Sequence, residues 1–261
     1  SEPDDRFDIH LWEAETGGEP VAWSHFSHYR TFDLFAHPAA VTPEQRLAMF
    51  TWAEEHLAAR LRAEGVQRMS TIWISEHDAD AIAHLTARGF QRGEQGITFM
   101  TCPLDDLGDA PKLAPGFSIR SVAGEHEAAW RAAPQYAAFE SSWDMDRYVA
   151  RYRRFMQSPV YDPELDLVVV APDGEAAAFA IGWIDDVNRA GHLEPVGTHP
   201  AFHRQGLGRA VVHEALRRLA ARGMRTATVC PESDSPAAVG LYASAGFRPV
   251  HELGTFYRDL A

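Results

Sequence analysis

A glycine-containing junction between an extended segment and a helix constrains this chain more than any other feature. Residues 203–210 read HRQGLGRA, and apolar residues then recur at helical spacing, which predicts a helix from Val211 to Arg222 that ends at Gly223. Two glycines let the backbone approach a ligand closely, and the first N–H groups of a helix have no partner inside it. The helix dipole favours an anion at the same place. The junction is therefore expected to bind a phosphate or pyrophosphate group.

The same residues permit a second interpretation, an ordinary strand-to-helix connection that contains two glycines. Two better-known phosphate loops are excluded. A Walker loop needs a Lys-Ser/Thr pair after its glycines, and the sequence has none there. The dinucleotide fingerprint needs three glycines in a βαβ unit, whereas this junction has two.

A second motif follows further along the chain, where residues 235–248 read SPAAVGLYASAGFR. Ser235 is a favourable N-cap, Pro236 a favourable first helical residue, and Gly246 a stop signal. The two motifs together resemble the GNAT superfamily of acyl-CoA-dependent N-acyltransferases, in which Gln/Arg-x-x-Gly-x-Gly/Ala is followed by a helix with Leu-Tyr and then by Gly-Phe. Residues 116–120, GFSIR, are similar to the opening strand of that fold. The resemblance covers residues 116–261.

The resemblance implies that acetyl-CoA is the co-substrate. It implies cofactor-binding roles for a strand edge, for the junction and for the start of the later helix, which together are Val196, Gly197, Thr198, His203, Arg204, Gln205, Gly206, Leu207, Gly208, Arg209 and Ser235. In this family the strand edge pairs with the amides of the pantetheine arm, and one of its N–H groups polarises the thioester carbonyl. Pro195 has no N–H, which favours a strand that splays from its neighbour. The chain departs from the family at His203, where Gln or Arg is usual, and at Ser235, where Asn is frequent.

Two residues are candidates for the catalytic roles that acyl transfer to an amine requires. Glu194 lies on the extended segment before the junction, where some members of the family carry a glutamate that acts as the base, and the resemblance implies this role here. Burial between Leu193 and Pro195 is expected to raise its pKa. Tyr242 resembles the residue that protonates the departing thiolate, because a tyrosine with a reference pKa of about 10 is protonated at neutral pH. A salt-bridged or substrate-binding role for Glu194 and a packing role for Tyr242 stay open.

Five other side chains have weaker support for a chemical role. His192, His199, His203 and His213 lack the spacing of metal ligands and are interpreted as loop histidines, so that no metal site is expected. Cys230 could lie near the acyl group, but it is interpreted as a buried and unreactive thiol.

The acceptor site is expected near the predicted helices between Glu125 and Met156. Several aromatic and acidic side chains there could line it, namely Trp130, Tyr136, Trp143, Tyr148, Glu140, Asp144 and Asp146. For any one of them, a core aromatic or a solvated acid is the alternative interpretation.

The first half of the chain, residues 1–102, resembles a partial copy of the second. The parallel features are the His-Pro pairs 37–38 and 199–200, the helices 43–64 and 211–222, the strands 69–74 and 225–230, and the Gly-Phe pairs 89–90 and 246–247. The glycine junction is replaced by residues 42–45, TPEQ, a capping box whose side chains use the N–H groups that a phosphate would need. Leu85 or Thr86 stands at the position that corresponds to Tyr242 in the second half. We expect this half to be structural or to close over the substrate, with chance similarity as the alternative.

Composition limits the partners and the location. The formal net charge of −13 disfavours nucleic acid and anionic membranes. The longest apolar run, Ala176–Ile184, is too short to span a bilayer and predicts a buried strand. Two cysteines and the absence of a signal-peptide pattern are typical of a cytoplasmic protein. Residues 103–116 predict a linker, which suggests a partial domain of residues 1–112 and an acyl-CoA-binding domain of residues 113–261. A monomer and a homodimer both stay open.

Taken together, the patterns predict an α/β (α+β) chain of tandem GNAT-like domains, with mixed, mostly antiparallel central sheets flanked by helices and a degenerate first domain. The run 194–200, EPVGTHP, is similar to the mycothiol synthase-like acetyltransferases of actinobacteria. The resemblance implies transfer of an acetyl group from acetyl-CoA to a primary amine of a small molecule or peptide within a ternary complex. A non-catalytic acyl-CoA-binding or sensing module is the alternative.

Overall fold

The structure, a computed structural model, describes residues 8–14, 17–27 and 29–260. Its strands and helices follow one another as β1 (Asp8–Glu13), β2 (Pro20–Phe26), β3 (Phe32–Ala36), α1 (Pro43–Ala63), β4 (Arg68–Ser75), α2 (Ala79–Ala87), β5 (Gln91–Pro103), β6 (Ser118–Ser121), α3 (Ala128–Ala138), α4 (Met145–Met156), β7 (Asp166–Val170), β8 (Ala176–Asp185), β9 (Ala190–Thr198), α5 (Leu207–Ala221), β10 (Thr226–Val229), α6 (Pro236–Ser244) and β11 (Arg248–Asp259).

The order of these elements repeats. Three strands, a helix, a strand, a helix and a strand run from β1 to β5 and again from β7 to β11. The second half starts with an additional β6, α3 and α4, which have no counterpart among the described residues of the first half. The tandem organisation with a partial first copy is therefore confirmed.

The chain forms two compact units. The first contains Ser1–Thr98, Glu232–Asp234 and His251–Ala261, and the second contains Phe99–Pro231 and Ser235–Val250. Strands β5 and β11 contribute residues to both. A domain boundary at residues 112 and 113 stays a prediction.

In the first unit, β1, β2 and β3 form an antiparallel sheet, and β11 pairs antiparallel with β4. Helix α1 begins with the predicted capping box, because Thr42 Oγ1 accepts from the Gln45 N–H at 3.2 Å and Gln45 Oε1 accepts from the Thr42 N–H at 2.9 Å. Leu85, at the position of the tyrosine in the other copy, is 1% exposed in the core of this unit. The capping box thus closes the start of α1, which would otherwise be available to a phosphate, and the buried Leu85 offers no phenol.

The first unit buries the carboxyl groups of Asp33 and Glu54. Asp33 on β3 is 2% exposed and accepts hydrogen bonds at Oδ1 from Thr71 Oγ1 at 3.1 Å and from the Ile72 N–H at 2.8 Å. Burial raises the pKa of its carboxyl group to about 6, although these hydrogen bonds oppose the shift. The protonation state of this unit therefore changes in mildly acidic solution.

The second unit is built on a sheet with the order β10-β9-β8-β7-β6. Only the β9–β10 pair of this order is parallel, and the end of β5 pairs antiparallel with β10, so the sheet is mixed and mostly antiparallel as predicted. Strand β8 is the buried strand expected from the apolar run. The apolar face of α5 covers the sheet, and Gly191 on β9 makes room for it, since a Cβ there would lie 2.5 Å from Leu219 Cδ1. In the described part of the chain, each helix is too short or too polar to cross a bilayer.

Candidate active site

Strand β9 separates from β10 halfway along its length. The parallel ladder joins Ala190–His192 to Thr226–Thr228 and ends there, whereas the antiparallel ladder to β8 continues as far as Thr198. The ladder to β10 thus ends before Pro195, as the predicted splay requires. The second half of β9 thus offers backbone groups along an edge on the side of β10, where an extended chain of amides could pair.

A β-bulge changes the direction of β9 at the start of the splay. Ala180 pairs with Val196 and Gly182 with Leu193, so that Glu194 and Pro195 both stand opposite one residue of β8. The Trp183 indole N–H donates to the Glu194 carbonyl oxygen at 2.6 Å. Bulges of this kind re-aim a side chain, and the Glu194 side chain is 71% exposed.

The environment of Glu194 differs from the sequence-based expectation. We expected burial and a raised pKa, and this was wrong. A hydrogen bond from His192, whose Nε2 lies 3.3 Å from Glu194 Oε2, lowers the pKa of the carboxyl group more strongly than desolvation raises it. The bulge explains the difference, because it turns the side chain out of the sheet.

Tyr242 and Cys230 lie within electrostatic range of Glu194. Tyr242 on α6 is 8% exposed; burial, and then the charges of Glu194 and Cys230, raise its pKa to about 12. Burial and the charge of Glu194 raise the pKa of the Cys230 thiol to about 11. The phenol is therefore protonated at neutral pH and can donate a proton. The thiol is also protonated, which supports its interpretation as unreactive.

Helix α5 begins at Leu207, earlier than the predicted Val211, so that Leu207, Gly208 and Arg209 form its first turn. Gly206 is the N-cap, with a left-handed φ of 75°. No side chain of the described residues caps this terminus, in contrast to α1. The first N–H groups of α5 are therefore available to an anion.

The junction is attached to the end of β9 by two contacts. His203, which replaces the Gln or Arg of the family, donates through Nε2 to the Thr198 carbonyl oxygen at 3.0 Å. Gly208 lies so close to β9 that a Cβ there would be 3.1 Å from Thr198 Oγ1. The exposed residues Arg204 and Gln205 complete the loop. The helix terminus and the splayed strand are thus held next to each other.

Two further predicted binding residues have structural contacts. Gly197 packs on Phe179, since a Cβ there would lie 2.5 Å from the Phe179 Cζ atom. Ser235 is the N-cap of α6, as predicted, and its hydroxyl accepts from the Ala238 N–H at 3.4 Å. The hydroxyl hydrogen remains able to donate, so a contact with a ligand stays a prediction.

Some residues of the predicted acceptor region have other partners. The Trp130 indole donates to the Gly174 carbonyl oxygen at 2.9 Å, and the Tyr136 hydroxyl donates to the Trp143 carbonyl oxygen at 2.9 Å. Asp144 is the N-cap of α4. These contacts stabilise the fold around α3 and α4. The lining of an acceptor site stays a prediction, with Tyr148 half-buried and Glu140 and Asp146 exposed.

Two of the histidines are not in loops, which corrects the interpretation from sequence. His192 lies on β9, and His213 lies on α5, where its Nε2–H donates to the Leu107 carbonyl oxygen at 3.0 Å. Over the residues that the structure describes, no three His, Cys, Asp or Glu side chains are grouped to hold a metal ion. Sequence reasoning missed His192 as a partner of Glu194. The available signal was their i, i+2 spacing, which places both on one face of a strand.

Comparisons with known proteins identify the family of the chain. The family model of the acetyltransferase (GNAT) family matches residues 127–247. A mycothiol acetyltransferase from Kineococcus radiotolerans is 33% identical over 224 residues, which cover 82% of this chain and 68% of that protein. A mycothiol acetyltransferase from Streptomyces coelicolor is 31% identical over 261 residues, covering 96% of this chain and 79% of that protein.

Two solved structures share the fold. A tandem GNAT protein from the clavulanic acid biosynthesis pathway superposes with a TM-score of 0.73 at 15% identity, covering 98% of this chain and 84% of that one. A GCN5-related N-acetyltransferase from Sphaerobacter thermophilus has a TM-score of 0.71 at 21% identity, covering 93% of this chain and 78% of that one. At these identities the likeness concerns the fold alone.

Proposed function

The chain belongs to the acetyltransferase (GNAT) family and is an N-acetyltransferase, and on this premise we propose the reaction in detail. It transfers an acetyl group from acetyl-CoA to a primary amine of a small molecule or peptide, by direct attack within a ternary complex. The observation that carries the proposal is the uncapped start of α5 beside the splayed end of β9.

Acetyl-CoA fits this arrangement in two places. The N–H groups of Leu207, Gly208 and Arg209 would bind its pyrophosphate, helped by the α5 dipole. The edge of β9 from Val196 to Thr198 would pair with the amides of its pantetheine arm. The first unit supports a single site per chain, because Thr42 already accepts from the Gln45 N–H in the first turn of α1 and Pro43 has no N–H there.

Tyr242 is proposed as the acid of the reaction. When the amine nitrogen attacks the thioester carbonyl carbon, the C–N bond forms, the C–S bond breaks and its electron pair moves to sulfur. A phenol whose pKa is raised to about 12 is protonated over the whole physiological range and can give its proton to that sulfur. Its buried position keeps water from competing for the same hydrogen bond.

Glu194 is proposed as the base. Its carboxylate is exposed, negatively charged at neutral pH because its pKa is lowered, and within electrostatic range of Tyr242. A deprotonated base and a protonated acid within electrostatic range of each other support the two roles that acyl transfer requires. A Glu194→Gln variant is expected to lose kcat by about a hundredfold or more.

The acceptor, the oligomeric state and the location belong to the proposal as well. The relatives named mycothiol acetyltransferases make the unacetylated form of mycothiol one amine to test. The proposed region for its binding is helix α3, which contacts β9, together with helix α4, which contacts α3. We keep monomer and homodimer as alternatives. Both cysteines are free thiols, which supports a cytoplasmic location.

Thiol release from acetyl-CoA tests the function. The protein is incubated with acetyl-CoA and a panel of primary amines, including the unacetylated form of mycothiol, and initial rates are measured while both substrates are varied. Intersecting reciprocal plots are expected for a ternary complex, whereas parallel plots would indicate a covalent acetyl-enzyme. Acetyl-CoA binding without thiol release from any amine would favour the acyl-CoA-binding module instead.

A further inference from the structure

Helix α4 carries a positive face in a chain whose formal net charge is −13. The helix contains four arginines and one aspartate. Arg147, Arg151 and Arg154 recur at i, i+4 and i+7, so they lie on one side of the helix and are called the arginine face of α4 below. Arg153 points to another side, because each residue of a helix is rotated by about 100° from the one before it.

The outer part of the arginine face has no counter-charge within the described part of the chain. The ion pairs of the described residues do not include Arg151 or Arg154, and both side chains are exposed. The arginines of α5 are arranged differently, since Arg217 Nη1 lies 2.8 Å from Glu214 Oε2 and Arg218 Nε lies 2.9 Å from Glu214 Oε1. Like charges one turn apart on a helix repel each other. An anion bound to the arginine face would remove this repulsion.

Trp143, which lies just before α4, holds two of the guanidinium groups in place. The Arg147 Cζ atom lies 4.5 Å from the centroid of the Trp143 ring, and the Arg151 Cζ atom lies 5.0 Å from it. A guanidinium group that stacks on an aromatic ring keeps the N–H donors at its edge available. The Tyr136 hydroxyl donates to the Trp143 carbonyl oxygen at 2.9 Å and so ties Trp143 to α3. Two preorganised cations therefore lie beside one ring.

Packed side chains of the same unit connect the arginine face to β9. Burial raises the pKa of the Tyr148 hydroxyl, and the charges of Arg131 and Arg151 are among the effects that oppose this shift, so both guanidinium groups lie near it. The Arg131 Cζ atom lies 4.4 Å from the centroid of the Phe179 ring, and Phe179 packs on Gly197 of β9. An acceptor whose amine lies at β9 can therefore extend along α3 and α4 towards the arginine face.

The number and the type of these cations favour one kind of anion. A carboxylate is bound by a single guanidinium group through two parallel hydrogen bonds. A phosphate monoester carries up to two negative charges and three acceptor oxygens, so it can bind two guanidinium groups at once. The planar fork of donors on arginine matches the geometry of phosphate oxygens. Arg147 and Arg151, which are held on one ring, fit this second kind of ligand.

We propose that the arginine face of α4 binds the phosphate group of a phosphorylated small-molecule amine, and that this amine is the acceptor of the acetyl group. The inference rests on the proposed function, because it names the substrate class of that reaction. Arg147 and Arg151 bind the phosphate, and Arg154 adds to the positive potential that attracts it. The arginine face thus determines specificity, since an uncharged amine lacks this contact.

The first experiment measures binding without turnover. Three probes present the same primary amine and differ only at their last carbon: glucosamine, glucosamine 6-phosphate and 2-amino-2-deoxyglucuronic acid, which carry a hydroxyl, a phosphate and a carboxylate there. Each is titrated into the protein in excess CoA, and nitrogen-15 NMR follows the indole N–H signal of Trp143, which is identified by its loss in Trp143→Phe. We expect a saturable shift with the phosphorylated amine, and affinities about tenfold or more lower for the other two.

Two variants on one helix separate a specific site from general attraction to positive charge. Arg151→Gln and Arg153→Gln each remove one exposed charge from α4, but only the first changes the arginine face. Arg151→Gln should weaken binding of glucosamine 6-phosphate about tenfold or more, and Arg153→Gln about twofold or less. Arg151→Lys keeps the charge but not the fork, and its affinity should lie between the two.

Three results would overturn the proposal. The first is a Trp143 signal that does not respond to glucosamine 6-phosphate, the second is an equal loss of affinity in Arg151→Gln and Arg153→Gln, and the third is tighter binding of the carboxylate than of the phosphate. Thermal unfolding of each variant checks that it is folded, which is expected because both side chains are exposed.

The second experiment measures specificity by thiol release from acetyl-CoA. The three probes are compared as substrates, or as competitive inhibitors of whichever amine the enzyme acetylates. The wild type should favour glucosamine 6-phosphate about tenfold or more in kcat/KM or in inhibition constant, and Arg151→Gln should lose this preference while its kcat/KM for an uncharged amine is unchanged. Equal values for the three probes in the wild type would refute the assignment of the arginine face.

The failure of this inference can be told apart from the failure of the proposed function. A wild type that releases no thiol with any amine would refute the proposed function, while the NMR titration would still decide whether the arginine face binds a phosphate. A wild type that acetylates uncharged amines but gives no Trp143 response would retain the function and refute the inference.

Discussion

Gly206 offers a direct test of where acetyl-CoA binds. The strain caused by a side chain at its left-handed φ can be measured separately at a control glycine with a similar φ, away from the start of α5. At φ 75° a residue with a Cβ is strained, and apart from its chain neighbours no described atom lies within 4 Å of the place where that Cβ would be. Gly174, in the turn between β7 and β8, has φ 89° and equally open space among the described residues. Gly206→Ala and Gly174→Ala therefore form a matched pair in one unit.

The backbone conformation gives the loss of stability that is expected for both variants. Left-handed backbone disfavours a residue with a Cβ by roughly 1–2 kcal/mol, and with no clash to add, each variant should lose about that much stability. For a chain of this size the midpoint of thermal unfolding should fall by about 2–4 °C per kcal/mol. Only Gly206→Ala places a methyl group at the start of α5, where it would hold a phosphate away from the first N–H groups. We expect about a tenfold or greater loss of acetyl-CoA affinity, equal to about 1.4 kcal/mol.

Isothermal titration calorimetry with acetyl-CoA measures the affinity and the number of sites, and thermal unfolding without ligand measures the stability. One site per chain in the wild type and in Gly174→Ala, with weakened binding in Gly206→Ala, would support the α5 site. Equal affinities in the two variants would refute it. Two sites per chain would mean that the first half also binds acetyl-CoA, in spite of its capping box.

Three further predictions concern the acid of the reaction, pH-dependent stability and packing. Tyr242→Phe keeps the ring contact with Phe247 but removes the proton, and steady-state kinetics should show kcat reduced by about a hundredfold or more; full activity would exclude the acid role. Because the folded-state pKa of Asp33 is raised from 3.8 to about 6, its contribution to stability is full below pH 3.8 and is lost as the pH rises through 6. Relative to Asp33→Asn, the wild type should lose about 3 kcal/mol of unfolding free energy across this range in urea titrations, and a constant difference would contradict the burial argument. Gly197→Ala should destabilise by about 1–3 kcal/mol through its clash with Phe179, and Phe179→Leu in the same chain should recover part of this loss in thermal unfolding.

Several features of the site were predictable because they depend on residues close together in sequence. The uncapped start of α5 follows from the glycines of the junction, and the closed start of α1 follows from Thr42 and Gln45, which are three residues apart. The splay of β9 follows from Pro195, which cannot donate to a ladder. The repeated order of elements was readable because spacing and Gly-Phe stops recur in both halves. Helix caps, turns and missing donors are local properties of the chain.

The protonation chemistry of the site could not be predicted in the same way. The sequence identified Glu194 as a candidate base, but its exposure depends on a bulge set by pairing with β8, and its lowered pKa depends on His192. The His192 imidazole contacts Thr228, which is 36 residues away in sequence and is brought next to it by the β9–β10 ladder. The sequence by itself thus determined the family, the helix termini and the candidate residues. Only the tertiary structure decided which of them are exposed and which have shifted pKa values, because pKa values and hydrogen bonds depend on burial and on neighbours that folding brings together.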